Sequence, residues 1–91
     1  MLEKDVKKSL KEYLTKIGAY QYWPVPTGLG ATTIDVLLCY KGRFYGIECK
    51  RNGKRATPAQ IDVMNRIVLS GGRCWVEDES DLSVTKYYLR D

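Results

Sequence analysis

The chain has 91 residues and a formal net charge of +4, with 44% hydrophobic residues, 29% charged residues and no histidine. This composition is typical of a globular protein, and the length predicts one domain spanning residues 1–91. Without histidine the chain cannot contain a Ser-His-Asp or Cys-His catalytic site, or a zinc site built on histidine. Three cysteines without C-x-x-C spacing, and no signal-like or membrane-spanning stretch, predict a cytoplasmic protein with no membrane partner.

The first elements along the chain are predicted to be a helix and an edge strand. Residues 2–17 have apolar side chains at spacings of three and four, which is typical of an amphipathic helix, and Gly18 is a plausible stop. Residues 19–26 are aromatic and contain two prolines, which confine an extended segment to the edge of a sheet. Residues 27–33 are predicted to form a loop.

A central hairpin is the clearest feature of the pattern. Two apolar strands, residues 34–40 and 43–50, are predicted to be joined by a tight turn at residues 41–42. Counting outward from that turn places Asp35 opposite Glu48. Both strands carry apolar residues on both faces, so they are predicted to lie in the centre of the sheet.

The second half of the chain is predicted to add a helix and a strand. After a basic loop at residues 52–57, Thr57 and Gln60 form a T-x-x-Q capping box that begins a helix, and a glycine pair ends it. Residues 73–77 are predicted to be a strand, and residues 82–89 either a strand or a short helix followed by a strand. The order α-β-β-β-α-β predicts an α/β fold with a central mixed sheet.

The facing carboxylates of the hairpin carry the strongest functional signal. Asp35 and Glu48 would lie about 5 Å apart, and Lys50 would point to the same face. Two carboxylates at that distance repel by about 3 kcal/mol, so such a pair indicates either a shared proton or a bound cation. Oxygen ligands select Mg²⁺ or Mn²⁺, and a neighbouring lysine suits phosphodiester chemistry. The alternative is a salt-bridge cluster on an exposed sheet face.

Five further residues are candidates for the same site or for its substrate. Helical projection places Glu3 and Gln60 near the core-facing sides of their helices. Each also has a structural explanation, since Glu3 complements the helix dipole and Gln60 completes the capping box. Six of the fifteen basic residues lie at positions 41–55, and among them Arg51, Lys54 and Arg55 either contact DNA phosphates or are solvated loop charges.

Aromatic and acidic segments leave other readings open. Tyr20, Tyr22 and Trp23 could stack on bases, although aromatics on a short strand more often pack in a core or an interface. Together with the acidic run at residues 77–81 they could instead form a protein-interaction surface. Cys49 points to the sheet face opposite Glu48 and is predicted to be a packing residue.

The ordered motif resembles a known nuclease superfamily. The residues that carry the resemblance are Glu3, Asp35, Glu48, Cys49, Lys50 and Gln60. Their order is similar to that of the PD-(D/E)xK nucleases, and the longer runs TGLGATTID, GIECKRNGKRATPAQ and SGGRCWV resemble the virus-type replication-repair nuclease (VRR-NUC) domain in its minimal stand-alone form. The resemblance covers essentially the whole chain. Ile34 stands where proline is frequent and Cys49 where valine is usual, and neither departure removes a charged group.

The resemblance implies a fold, an activity and a set of roles. The fold would be a restriction-endonuclease-like core, and the protein would be a Mg²⁺- or Mn²⁺-dependent endonuclease acting on DNA. The metal ligands would be Asp35, Glu48, the backbone carbonyl of Cys49, and Glu3. Lys50 would be the catalytic lysine and Gln60 would support the site.

The resemblance also implies an assembly and a substrate. Stand-alone members are expected to be homodimers that cleave branched DNA such as Holliday junctions or flaps, and a phage or viral protein would act in its host cell. The alternative is a basic nucleic-acid-binding module without catalytic activity.

Overall fold

The computed structural model describes residues 2–25 and 33–90. The helices and strands are α1 (Glu3–Lys16), β1 (Tyr20–Tyr22), β2 (Val36–Tyr40), β3 (Arg43–Cys49), α2 (Pro58–Leu69), β4 (Arg73–Glu77) and α3 (Ser83–Tyr88). The strands form one sheet in the order β1-β2-β3-β4, in which the first three are antiparallel and β4 runs parallel to β3. The predicted α/β fold with a mixed sheet is therefore confirmed, and α3 extends it. The loop predicted at residues 27–33 lies, except for Thr33, outside the described residues.

The central hairpin has the predicted turn and register. Lys41 and Gly42 both have positive φ angles, 52° and 78°, as the two central residues of a tight type I′ turn require. Val36 pairs with Ile47, and the register continues to the turn without a bulge. The strands β2 and β3 are the two inner strands of the sheet, as their apolar pattern predicts.

One face of the sheet is covered by α1 and α3. The apolar stripe of α1 is fully buried through Val6, Leu10 and Leu14, and it packs on the odd-numbered side chains of β3, which include Ile47 and Cys49. Burial of each such side chain stabilises the fold by roughly 1.5–3 kcal/mol. Within the described ranges, no helix has the length and apolar character needed to cross a membrane.

The other face is covered by α2, which approaches β3 closely at a glycine. A Cβ atom on Gly46 would lie 2.5 Å from Ile34 Cδ1 and 3.2 Å from Ile67 Cδ1, so a larger residue there would force the ends of these two side chains to shift. The predicted capping box begins α2, because the Gln60 N–H donates to Thr57 Oγ1 at 3.2 Å and the Thr57 N–H donates to Gln60 Oε1 at 2.8 Å. This cap places the first turn of α2 beside the end of β3.

The C-terminal segment forms the helix Ser83–Tyr88, and no strand follows it in the described part of the chain. The reason is a long-range contact with the end of β4. The Glu77 carboxylate is fully buried and accepts hydrogen bonds from the Thr85 N–H at 2.8 Å and the Glu79 N–H at 3.4 Å. The Trp75 indole also donates to Thr85 Oγ1 at 3.0 Å, so α3 is held against β4 by buried polar contacts.

Candidate active site

Asp35 and Glu48 are held together at the open end of the central hairpin. The Asp35 N–H donates to Glu48 Oε1 at 3.1 Å, and the Cys49 N–H donates to Asp35 Oδ2 at 2.8 Å. Because its N–H bonds to a side chain instead of the strand ladder, Asp35 lies just before β2 and not within it. These two bonds bring the carboxylate of Asp35, just before β2, and that of Glu48, in β3, into one site.

The pair is electrostatically unfavourable when both groups are ionised. Burial, the negative charge of Asp35 and a hydrogen bond with the Asp35 side chain raise the pKa of Glu48 to about 7, while Lys50 and the Asp35 N–H oppose the shift. Without a cation to offset the repulsion, the pair therefore holds a proton near neutral pH. A divalent cation would compete with that proton for the same oxygens.

Lys50 and Gln60 both contact the same carboxylate oxygen of Glu48, Oε2. Lys50 Nζ lies 3.5 Å from Glu48 Oε2, and Gln60 Nε2 donates to the same oxygen at 3.0 Å. The side chains of Glu48, Lys50 and Asp35 are only 3%, 14% and 21% exposed. This burial argues against a salt-bridge cluster on an exposed face, because buried charges require specific partners.

Glu3 is connected to the pair through Lys7. Lys7 Nζ lies 3.2 Å from Glu3 Oε2 and 3.4 Å from Asp35 Oδ1. Partial burial lowers the pKa of Lys7, but the charges of Asp35 and Glu3 and hydrogen bonds with both outweigh burial, so the pKa is raised. The sequence analysis missed Lys7, although its spacing of four residues from Glu3 on α1 is the signal that could have found it.

The donor set at the site consists of oxygen atoms. The described residues contain no group of three or more His, Cys, Asp or Glu side chains that could hold a metal ion. The carboxylates of Asp35 and Glu48, with the backbone carbonyl of Cys49, are hard donors of the kind Mg²⁺ prefers, and this ion usually keeps several waters. The Cys49 thiol packs in the core, where burial raises its pKa, so it is not a thiolate ligand.

The basic loop after β3 is anchored to the acidic run. The Gly53 N–H donates to Asp78 Oδ2 at 3.1 Å, and Asn52 Nδ2 donates to Glu79 Oε1 at 3.4 Å. The candidate DNA contacts are exposed and form no ion pair with another described residue: Arg51, Lys54 and Arg55. Because the acidic run is engaged inside the molecule and Glu77 is buried, the run is poorly suited to dock a partner.

The three N-terminal aromatics separate into two groups. Trp23 packs against the core, and its indole N–H donates to Gln21 Oε1 at 2.8 Å. Tyr20 and Tyr22 are exposed on the edge strand β1. Core packing is therefore found for Trp23 and not for the two tyrosines, and the interface that the prediction also allowed for Tyr20 and Tyr22 stays a prediction.

Comparison with known proteins agrees with this geometry. A solved structure named "VRR_NUC domain" superposes with a TM-score of 0.76 at 19% identity, covering 98% of this chain and 97% of that one. The protein named "Putative nuclease p44", from Acyrthosiphon pisum secondary endosymbiont phage 1, is 30% identical over 81 residues, which is 89% of this chain and 87% of the phage protein. The chain belongs to the family of this phage protein, and its fold is that of a VRR-NUC domain. No family model matches the chain.

The VRR-NUC fold gathers the candidate residues from four separate segments. Each candidate residue lies near the beginning or the end of a helix or strand. The residues are Glu3 and Lys7 near the start of α1, Asp35 just before β2, Glu48 and Lys50 around the end of β3, and Gln60 in the first turn of α2. The ends of packed elements lie close together, so residues far apart in sequence form one cluster.

Proposed function

We propose that this VRR-NUC protein is a Mg²⁺- or Mn²⁺-dependent DNA endonuclease. The observation that carries the proposal is the pairing of buried Glu48 with half-buried Asp35, in which each carboxylate accepts a backbone N–H from the other segment. Lys50 Nζ lies 3.5 Å from Glu48 Oε2. A structural role alone does not account for a carboxylate that faces Glu48, whose own pKa is raised. Kinship with the phage protein supports the same conclusion.

The residues at the site fit a hard divalent cation. Asp35, Glu48 and the Cys49 carbonyl would hold it, and water and substrate oxygens would complete its shell. Such an ion supplies Lewis-acid stabilisation of phosphate charge and makes water more acidic. The metal-ligand role that the resemblance implies for Glu3 stays a prediction. Glu3 is linked to the site through Lys7, whose ammonium lies 3.2 Å from Glu3 Oε2 and 3.4 Å from Asp35 Oδ1.

The protein side chains would orient the reacting groups. Hydrolysis adds water across a P–O bond, so negative charge builds up on the phosphate oxygens and on the leaving oxygen. The Lys50 ammonium is placed beside Glu48 to stabilise that charge. Gln60 holds Glu48 Oε2 at 3.0 Å and so fixes the carboxylate rotamer.

The substrate we propose is branched DNA, such as Holliday junctions or flaps, cut by a homodimer. The longest dimension of the protomer is 33 Å, which matches only about ten base pairs of duplex. One protomer therefore has room for one arm. Paired cuts in two strands require two sites, and a two-fold axis supplies them.

The test is cleavage of labelled four-way junctions, flaps and linear duplexes with Mg²⁺, Mn²⁺ or EDTA. We expect metal-dependent cleavage that Asp35→Asn, Glu48→Gln and Lys50→Ala each reduce at least about 100-fold. The matched control is Asp62→Asn, which removes an exposed carboxylate paired with Arg66 on α2. DNA binding without cleavage in any metal, unaffected by the three substitutions, would identify a binding module instead.

A further inference from the structure

Four lysines of α1 line a shallow cavity beside the candidate active site. The cavity has a volume of about 410 Å³ and is lined by Lys4, Lys7, Lys8, Lys11, Glu12 and Trp23. At 100° per residue the four lysines fall within one arc of the helix. The apolar face of α1 is buried in the core, so this polar face is what the helix presents outward.

Three of these lysines are free to bind a ligand. Lys4, Lys8 and Lys11 are exposed, and none forms an ion pair with another described residue. Lys11 Nζ instead lies 5.1 Å from the centre of the Trp23 ring. From Lys4 to Lys11 the row extends about 10 Å along the helix axis, and Glu12 is the one acid among the lining residues.

The row passes the candidate active site. The remaining lysine of the row, Lys7, lies between Lys4 and Lys8 in the chain, and its Nζ is 3.4 Å from Asp35 Oδ1. A strand whose phosphate lies at Asp35 and Glu48 would therefore have its next phosphates within reach of the row. A membrane surface is a poorer match, because an amphipathic helix binds lipid through an apolar face and that face of α1 is covered by the sheet.

We propose that Lys4, Lys8 and Lys11 bind the phosphates of the DNA strand that leads away from the cleaved bond. The inference rests on the proposed nuclease function and adds a path for the substrate, separate from the loop that carries Arg51, Lys54 and Arg55. The ligand is a phosphodiester backbone, so binding is expected to depend steeply on salt and little on sequence.

The test compares two variants that lose the same charge. One is Lys4→Gln/Lys8→Gln/Lys11→Gln. The control is Arg43→Gln/Arg73→Gln/Arg90→Gln, which replaces three exposed arginines at the start of β3, at the start of β4 and just after α3. Affinity for a four-way junction and a linear duplex is measured in EDTA over a range of salt concentrations.

We expect the lysine variant to bind about tenfold or more weakly, with a salt slope reduced by about 0.9 for each DNA phosphate that the variant no longer neutralises. The arginine control should bind within about twofold of the unmodified protein, because its three arginines lie away from the proposed path and the loss of net charge, which both variants share, has only a small effect. Equal reductions of affinity in the two variants, or an unchanged affinity in the lysine variant, would overturn the proposal.

Tryptophan fluorescence reports on the lysine cavity directly, because the emission of Trp23 responds to a ligand bound there and not to the net charge of the protein. The chain has two tryptophans, and Trp75 is buried at 5% exposure whereas Trp23 lines the lysine cavity. DNA should change the emission of the unmodified protein, and Trp23→Phe should remove most of that change. DNA binding with no change in Trp23 emission would contradict the proposed path.

These measurements separate the two proposals. If the protein cleaves DNA and the lysine variant binds and cleaves normally, the lysine path is wrong and the nuclease proposal stands. If no metal supports cleavage but the lysine variant still binds DNA more weakly than the arginine control, the nuclease proposal is wrong and the binding path stands.

Discussion

The Gln60 side chain forms two hydrogen bonds, one that caps α2 and one that contacts the candidate site. Its amide oxygen accepts the Thr57 N–H at the start of α2, and its amide nitrogen donates to Glu48 Oε2. The sequence could not choose between a capping residue and a site residue, because both explanations require a polar side chain at this position. The structure shows that the cap points the amide nitrogen at the site.

Substitution of Gln60 should separate stability from activity. Gln60→Ala and Thr57→Ala both remove the capping box, and each should lower the free energy of unfolding by about 1 kcal/mol. Only Gln60→Ala also leaves Glu48 Oε2 without its amide donor, so only that variant should slow cleavage, by about tenfold. Urea unfolding and cleavage rates check both effects, and equal cleavage by the two variants would show that Gln60 only caps the helix.

The raised pKa of Glu48 predicts how stability depends on pH. The folded-state pKa is about 7 against an ordinary value of 4.5, so the native state binds this proton more tightly than the unfolded state does. The stability that this group contributes is complete below about pH 4.5 and is lost as the pH rises through 7, with a range of a few kcal/mol at most.

Urea unfolding in EDTA at pH 5 and pH 8 measures this contribution. We expect the free energy of unfolding of the unmodified protein to fall more between pH 5 and pH 8 than that of Glu48→Gln, because the glutamine amide cannot ionise. The Asp62→Asn control should follow the unmodified protein. If the stability of Glu48→Gln and that of the unmodified protein depend on pH in the same way, the pKa of Glu48 is not raised in the folded state.

At the level of helices and strands, local patterns predicted most of the fold. The turn at Lys41-Gly42 set the register that pairs the two carboxylates, and the capping box located the start of α2. The sequence did not distinguish a helix from a strand in the C-terminal segment, because the helix is stabilised by a hydrogen bond from the Thr85 N–H to Glu77, which lies in β4. Lys7 was missed for a similar reason, since its contact with Asp35 depends on how α1 packs against the sheet.

The buried carboxylate of Glu77 should be a major support of α3. Glu77→Ala leaves the Thr85 N–H without its acceptor in a buried position, so the free energy of unfolding should fall by about 2–3 kcal/mol. The matched control is Asp81→Ala, because Asp81 is exposed and accepts the Ser83 N–H at 3.1 Å in an exposed position. Urea unfolding measures both variants, and similar small decreases in stability would mean that α3 is held by apolar packing alone.

At the scale of the whole molecule, a small protomer carries one candidate active site between basic surfaces. The protomer has a mass of 10.4 kDa and a longest dimension of 33 Å. The loop at residues 51–55 follows Lys50, which contacts Glu48, and Lys7 of the lysine row contacts Asp35. Under the proposed nuclease function, one site would cleave one DNA strand and a second copy would cleave the second strand.

Sedimentation equilibrium tests the homodimer that this argument requires. We expect a mass of about twice 10.4 kDa at the protein concentrations that give cleavage. A monomer that makes paired cuts in a four-way junction at those concentrations would contradict the dimer proposal.

The central claim is that Asp35 and Glu48 together hold a divalent ion. The most direct measurement is anomalous scattering from crystals soaked in Mn²⁺, for the unmodified protein and for Glu48→Gln. We expect one strong anomalous peak between the carboxylates of Asp35 and Glu48, and a much weaker peak or none in the variant. A protein that binds Mn²⁺ only elsewhere, or shows no peak between these two side chains, would contradict the account.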